Sequence, residues 1–489
     1  MKTHGMRLWA SGIGACLLAC TFALHADEAK STDDPYRFLP LEKVGKSFEL
    51  DLHYLRSGFL EANKSFSYTA GSEQLFRDRV DGLLRRSGLS FPRFVMGVAS
   101  AVAAVDDGHT LADVHRHVRH WPIRVAWFGD ELRIVRARRE HARLLGGEVL
   151  TIADRAPRDL LAVLGDYVGG SQERVRAASP DYLDSPDALE GMNVAADADR
   201  IAISVRLRDG TVVREVLEGV YSKQPRATLT GWRDVIPSHA LRDEEEGWMH
   251  VLDGVQQLPV YLQDGNTLYQ QVELPNASDV FYVRLRITLD ADIYLKKYME
   301  NESDGKHLAL REYLLLKISE ATRRTSRYSD AIVDLRFNPG GNMMNTLDFA
   351  RALPRIIAPN GRIFVLTNNQ TFSAAIVTTA WLKSFGGDRT VIVGERLGDR
   401  ERFWAESDML VLPYSQIPVF ATQGYHDWGK GCTIVPDCWF NIAHDVAVGS
   451  LDPDVKVAAR FDDYLRGRDT ILETALGLIR ERTSALAAE

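Results

Sequence analysis

Residues 329–342 read SDAIVDLRFNPGGN, residues 361–387 read GRIFVLTNNQTFSAAIVTTAWLKSFGG, and residues 389–398 read RTVIVGERLG. Three short runs rich in Val and Ile, Ala331–Leu335, Ile363–Leu366 and Thr390–Val393, are strand-like, because they are too short for free-standing helices. Between them, Met343–Ile356 and Ser373–Phe385 have helical spacing. Strand, helix, strand, helix, strand predicts right-handed crossovers and a parallel sheet, hence an α/β fold. In such sheets chemistry gathers in loops leaving the carboxyl ends of the strands. Those loops are Arg336–Gly341, Thr367–Phe372 and Gly394–Asp399. The first carries a Pro-Gly-Gly turn. The second delivers Ser373 to the first turn of a helix.

A serine hydroxyl needs a neighbouring base and N–H donors aimed at the oxyanion it creates. A helix start supplies donors and a favourable dipole. The N–H of Ala374 is one candidate donor. The Pro339-Gly340-Gly341 turn offers a second at Gly340 or Gly341, because glycine lets backbone approach a ligand closely. The competing reading of Ser373 is an ordinary helix N-cap.

The strand ending Asp334-Leu335-Arg336, the turn Asn338-Pro339-Gly340-Gly341 and the Ser-Ala-Ala after the next strand resemble the C-terminal processing (tail-specific) serine peptidases. Gly394-Glu395, Pro453-Asp454-Val455, the closing helix Asp469–Arg480 and, far upstream, Asp107-Gly108-His109-Thr110 extend the resemblance. It implies a crotonase/ClpP-like catalytic domain, a peptide or protein substrate and no cofactor. Many relatives use a lysine after the Gly-Glu as base. Here that stretch reads Gly394-Glu395-Arg396-Leu397-Gly398-Asp399-Arg400, and arginine stays protonated. The tricorn-like branch uses a histidine from the N-terminal part, and His109 matches it, with a side chain suited to proton transfer near neutral pH. The carboxylate that would orient the imidazole is Asp445 or Glu395. His115, His117 and His120 are close in sequence, but no carboxylate or cysteine completes a metal set beside them.

The rest of the chain divides into 27–105, with helical spacing, 106–220, mixed α+β and a degenerate PDZ-like region by the resemblance, 221–254, a charged linker or surface loop, and 255–489, the catalytic domain. Lys2 and Arg7 precede an apolar run from Leu8 to Leu24, the pattern of a signal peptide over 1–26. Two endings stay open: cleavage after Ala26, or a lipoprotein box Leu17-Leu18-Ala19-Cys20 that leaves a lipidated Cys20 as membrane attachment. Loss of 1–26 leaves 57 basic against 67 acidic side chains, a net charge of −10, which argues against nucleic-acid binding. Cys432 and Cys438, in an exported chain, predict one local disulfide. These readings point to a periplasmic or lipid-anchored location. Mass spectrometry of the mature N-terminal peptide separates the two endings: fatty acid on Cys20, lost in Cys20→Ser, or an unmodified start near Asp27. An intact Met1 would contradict both.

Overall fold

The computed structural model describes residues 44–221, 232–237, 247–265, 267–298, 307–433, 435–438 and 442–488. The expected leader over 1–26 with Cys20, the polar stretch behind it and parts of the expected linker lie outside the described residues.

The quoted stretch folds as a parallel sheet. Strands Asp330–Asp334, Ile363–Thr367 and Thr390–Gly394 pair in register, Ala331 opposite Ile363 and Ile363 opposite Thr390. Val455–Lys456 extends one edge, Ala277–Leu285 joins the other in parallel, and antiparallel Tyr269–Leu274 closes it. Side chains alternate across the sheet because the strand period is two. Ala331, Val333, Ile363, Val365 and Ile392 share a core with the helices Met344–Ala352 and Ala374–Gly386. Ile332, Phe364, Leu366 and Val393 pack against Ile471, Leu472, Ala475 and Ile479 of the closing helix Thr470–Ala488. Cover on both faces explains the near-continuous apolar runs. The expected helix Met343–Ile356 ends sooner. A 3-10 turn, Leu353–Arg355, takes over where Pro354 has no N–H to donate.

The Asp334-Leu335-Arg336 motif has a structural task. The Arg336 guanidinium donates to Asp334 Oδ1 (2.9 Å) and to both oxygens of Asp469 (2.7 and 2.8 Å). Tyr282 donates to Asp334 Oδ2 at 2.8 Å, and Tyr261 lies under the guanidinium at 4.4 Å. All three ionised groups are at most 5% exposed. Burial alone would raise the Asp334 carboxyl, but the Arg336 charge and hydrogen bonds hold it below the usual range. The network fastens the start of the closing helix to the carboxyl end of the central strand.

Helices Val44–Ala62, Ser72–Leu84 and Phe91–Ala103 form the N-terminal region. Phe48, Leu52, Leu55 and Phe59 recur at helical spacing and are the buried stripe of the first, whereas Leu50 points outward. This region shares one core with an antiparallel sheet ordered Ile123–Phe128, Glu131–Arg138, Glu148–Ile152, Ala202–Arg206 and Val212–Val216. Turns at Gly129-Asp130 and Asp209-Gly210 join two of its hairpins. Trp248–His250, inside the expected linker, pairs with Glu131–Arg138.

One element was not foreseen. A long hairpin, Arg402–Val411 with Pro418–Asp427, leaves the parallel-sheet half and takes Leu111–Ala112 as a third strand, Leu111 opposite Phe420. At its tip the N–H groups of Tyr414 and Ser415 both donate to Asp51 at 2.8 Å. Midway, Thr422 N–H donates to Asn63 Oδ1 at 2.9 Å. The hairpin thus ties the segment just after His109 to the chain just after Ser373. Among the described residues, no helix is long and apolar enough to cross a membrane.

Arg336→Ala leaves two buried carboxylates without their counter-ion. It is expected to lower unfolding free energy by about 3–5 kcal/mol, against less than about 1 kcal/mol for Arg311→Ala at the exposed pair with Asp348. Urea denaturation of both variants checks this. Equal midpoints would contradict it.

Candidate functional site

Ser373 sits between the loop Asn368–Phe372 and the helix Ala374–Gly386. The loop is fixed from several directions. Thr371 Oγ1 donates to Leu335 O (2.9 Å) and accepts from Asn368 N–H (3.0 Å), and Phe372 N–H donates to Asn338 O (2.9 Å). Held this way, Ser373 has φ 54° and ψ −125°, a left-handed conformation that only glycine adopts freely. Such strain costs on the order of 1–3 kcal/mol and persists only where surroundings enforce it. The Ser373 hydroxyl makes no capping hydrogen bond to its helix. The N-cap reading therefore does not hold.

The glycine turn packs directly on the serine. A side chain at Gly340 (φ 104°) would lie 2.4 Å from Ser373 Cβ and 2.9 Å from Ala374 N. Asn338 braces the turn: its Oδ1 accepts from Gly340 N–H (2.9 Å) and Thr288 Oγ1 (3.2 Å), and its Nδ2 donates to Leu285 O (2.9 Å). Of the two glycines proposed as donors, Gly340 has its N–H committed to Asn338. Among the described residues, the N–H groups of Gly341 and Ala374 make no recorded hydrogen bond.

His109 arrives from the other half of the chain. Its ring lies between Phe372, the residue before Ser373 (centroids 4.2 Å, 26°), and Phe403 of the hairpin (5.1 Å, 19°). The stack continues from Phe403 to His426 (5.0 Å), which pairs with Glu406 at 2.8 Å. On its far side Arg174 covers Phe372 at 4.3 Å. Both His109 ring nitrogens are shielded from solvent and have no hydrogen-bond partner among the described residues, Ser373 included.

Two carboxylates that the sequence reading did not assign lie beside this ring. A ring nitrogen of His109 and one oxygen each of Asp107 and Asp399 are within 4.8 Å of one another. The Asp107 oxygens accept from Trp404 N–H (2.9 Å), Thr110 N–H (3.1 Å) and Thr110 Oγ1 (2.8 Å). Asp399 Oδ1 accepts from Arg400 N–H (2.9 Å) and Ser171 N–H (3.3 Å), whereas the buried Oδ2 has no partner. Burial, then the neighbouring Asp399 charge, pushes Asp107 up to about 7. Burial raises Asp399 to about 6, opposed by Arg400 and Arg174. Burial, followed by Arg174 and His426, lowers His109 well below 6.5, so the imidazole is neutral at pH 7. These three residues are also the group that could offer ligand atoms to a cation.

The other sequence candidates lie elsewhere. Glu395 lines a cleft of about 850 Å³ with Phe337, Tyr261, Arg336 and Gln370, and burial raises its carboxyl. Asp445 accepts from Cys432 N–H at 2.7 Å, beside the Cys432–Cys438 disulfide, which forms as expected. No hydrogen bond joins Glu395 or Asp445 to His109. His115 and His117 lie in a 3-10 turn rather than a strand, and His120 meets Asp184 at 2.7 Å. A second cleft of about 830 Å³, lined by Gly108, Arg174, Pro339, Gln370 and Phe372, shares Phe337 and Gln370 with the first.

No family model and no curated protein matches this sequence. Solved structures do. Mature CPAF is similar at a TM-score of 0.54 and 15% identity, over 90% of this chain and 98% of that one. Mature CPAF complexed with lactacystin gives 0.54 and 14%, over 91% and 100%. The photosystem II D1 C-terminal processing protease aligns over 84% and 93% at 13% identity, with a TM-score of 0.35. The chain thus has a mixed α/β fold similar to that of mature CPAF.

The Asp107 shift carries a sign. Between the ordinary carboxylate range and about 7, the folded chain holds the Asp107 proton more tightly than the unfolded chain, so this group makes stability fall as pH rises through that window. Asp107→Asn should remove that component. Urea midpoints at pH 5 and pH 8 measure it, and an unchanged pH dependence in the variant would contradict the shift.

Proposed function

We propose that this chain is an exported serine peptidase that cleaves peptide bonds with Ser373 as nucleophile and His109 as general base. The carrying observation is the conformation of Ser373: strained, uncapped and seated against a braced glycine turn. Strain of this kind concentrates at functional positions, and the strand–turn–helix setting is the one that lifts a nucleophilic serine above a sheet.

The reaction follows from that placement. Ser373 Oγ attacks the scissile carbonyl as its proton passes to His109. The oxyanion forms against the N–H groups of Gly341 and Ala374, each donor worth on the order of 10²-fold in rate. His109 returns the proton to the leaving amine, and water repeats the sequence on the acyl-enzyme. A neutral imidazole at pH 7 is in the state that accepts a proton. Its distance from a hydrogen bond to Ser373 belongs to the unliganded state, in which catalytic hydrogen bonds are often loose. The two clefts, which share Phe337 and Gln370, are the candidate path for an extended peptide. Lactacystin, bound to CPAF, is a candidate ligand for the same clefts here. The disulfide fits the exported location.

The unpartnered nitrogens of His109 favour one other reading, a catalytically silent peptide-binding protein. A fluorophosphonate probe separates the two. Wild type is expected to label at Ser373, and Ser373→Ala to lose both label and peptide turnover. Ser373→Gly should also be inactive, yet gain about 1 kcal/mol or more in stability as the backbone strain is relieved. Absence of label in the wild type would leave the binding reading.

A further inference from the structure

Asp399 presents a carboxylate whose halves are used unequally. Oδ1 is held by the N–H groups of Arg400 and Ser171. Oδ2 has no partner, although the residue is only 7% exposed. An unsatisfied buried carboxylate oxygen costs several kcal/mol unless something repays it. The nearest candidate is equally unsatisfied: the imidazole of His109, with a ring nitrogen inside the same 4.8 Å cluster.

The surroundings are arranged for that contact. The space that Oδ2 occupies exists because residue 108 is glycine. A side chain there would come within 2.2 Å of Oδ2 and 3.2 Å of the Phe372 ring. Phe372 and Phe403 hold the imidazole plane from both faces and so restrict its turning about the Cβ–Cγ bond. Asp107, the other carboxylate in the cluster, has both oxygens engaged by Trp404 and Thr110 and is less free to follow the ring. Arg400 and Arg174 favour the ionised form of Asp399, and Arg400 is itself held by Asp106.

We propose that Asp399 is the positioning carboxylate for His109: its Oδ2 accepts the proton of one ring nitrogen, fixing the tautomer that turns the other toward Ser373. The proposal rests on the reading of His109 as base. It assigns to the end of the third active-site loop a task for which sequence reasoning offered Glu395 or Asp445.

Asp399→Asn tests it cleanly. Asparagine keeps an oxygen for the Arg400 and Ser171 N–H groups, but its amide donates where Oδ2 accepted, which imposes the wrong tautomer. Turnover is expected to fall on the order of 10³-fold or more with KM nearly unchanged, and Asp399→Glu to recover part of it. A merely structural role would leave Asp399→Asn near wild-type turnover, which would overturn the proposal. If the variant does not fold, the wild type answers through ¹⁵N spectra of its histidines. His109 should show a single tautomer with a downfield ring proton, whereas rapidly exchanging tautomers would overturn the proposal. That readout needs no turnover. A wild type with locked His109 but no probe label at Ser373 would remove the peptidase reading and leave the His109–Asp399 contact standing.

Discussion

The arrangement depends on one buried carboxylate. Asp107 accepts the N–H of Trp404, at the base of the long hairpin, and both donors of Thr110 in its own turn. It thereby joins the segment carrying His109 to the chain that follows Ser373, nearly 300 residues later. Burial and the neighbouring Asp399 charge outweigh these hydrogen bonds and raise this carboxyl to about 7. Strand pairing of Leu111–Ala112 with Pro418–Asp427 and the grip of Asp51 on the hairpin tip extend the same junction.

The serine side is built on the opposite principle. There the backbone is forced into an unfavourable state and locked by Asn338, Thr371 and the glycine turn. The Arg336 network stiffens the strand from which that turn departs. A rigid serine half thus faces a histidine whose ring plane is fixed by stacking on Phe372 and Phe403.

The parallel sheet was legible in the sequence because its strands are apolar on both faces, a signal that survives without any partner information. Ser373 and the glycine turn were legible because their chemistry is local. His109 was legible through its motif, but its surroundings were not. Strand Pro418–Asp427 reads as broken by Thr422 and Gly424, and its pairing with Leu111–Ala112 spans a separation that no local pattern encodes. Asp399 hides for the same reason. It stands at the end of a loop already marked as important, yet its approach to His109 rests on the Ser171 N–H and on Gly108, both far away in sequence. Gly340 and Gly341 could not be told apart from the sequence, because what separates them is which N–H the Asn338 side chain takes.

The central claim is that the two halves converge on one reacting centre. A crystal structure of the chain with a phosphonate bound covalently to Ser373 tests it most directly. The account predicts the phosphonyl oxygen within hydrogen-bond reach of Gly341 and Ala374 N–H, with one ring nitrogen of His109 facing Ser373 Oγ. A Ser373 adduct with His109 pointing away, and another side chain in its place, would contradict it.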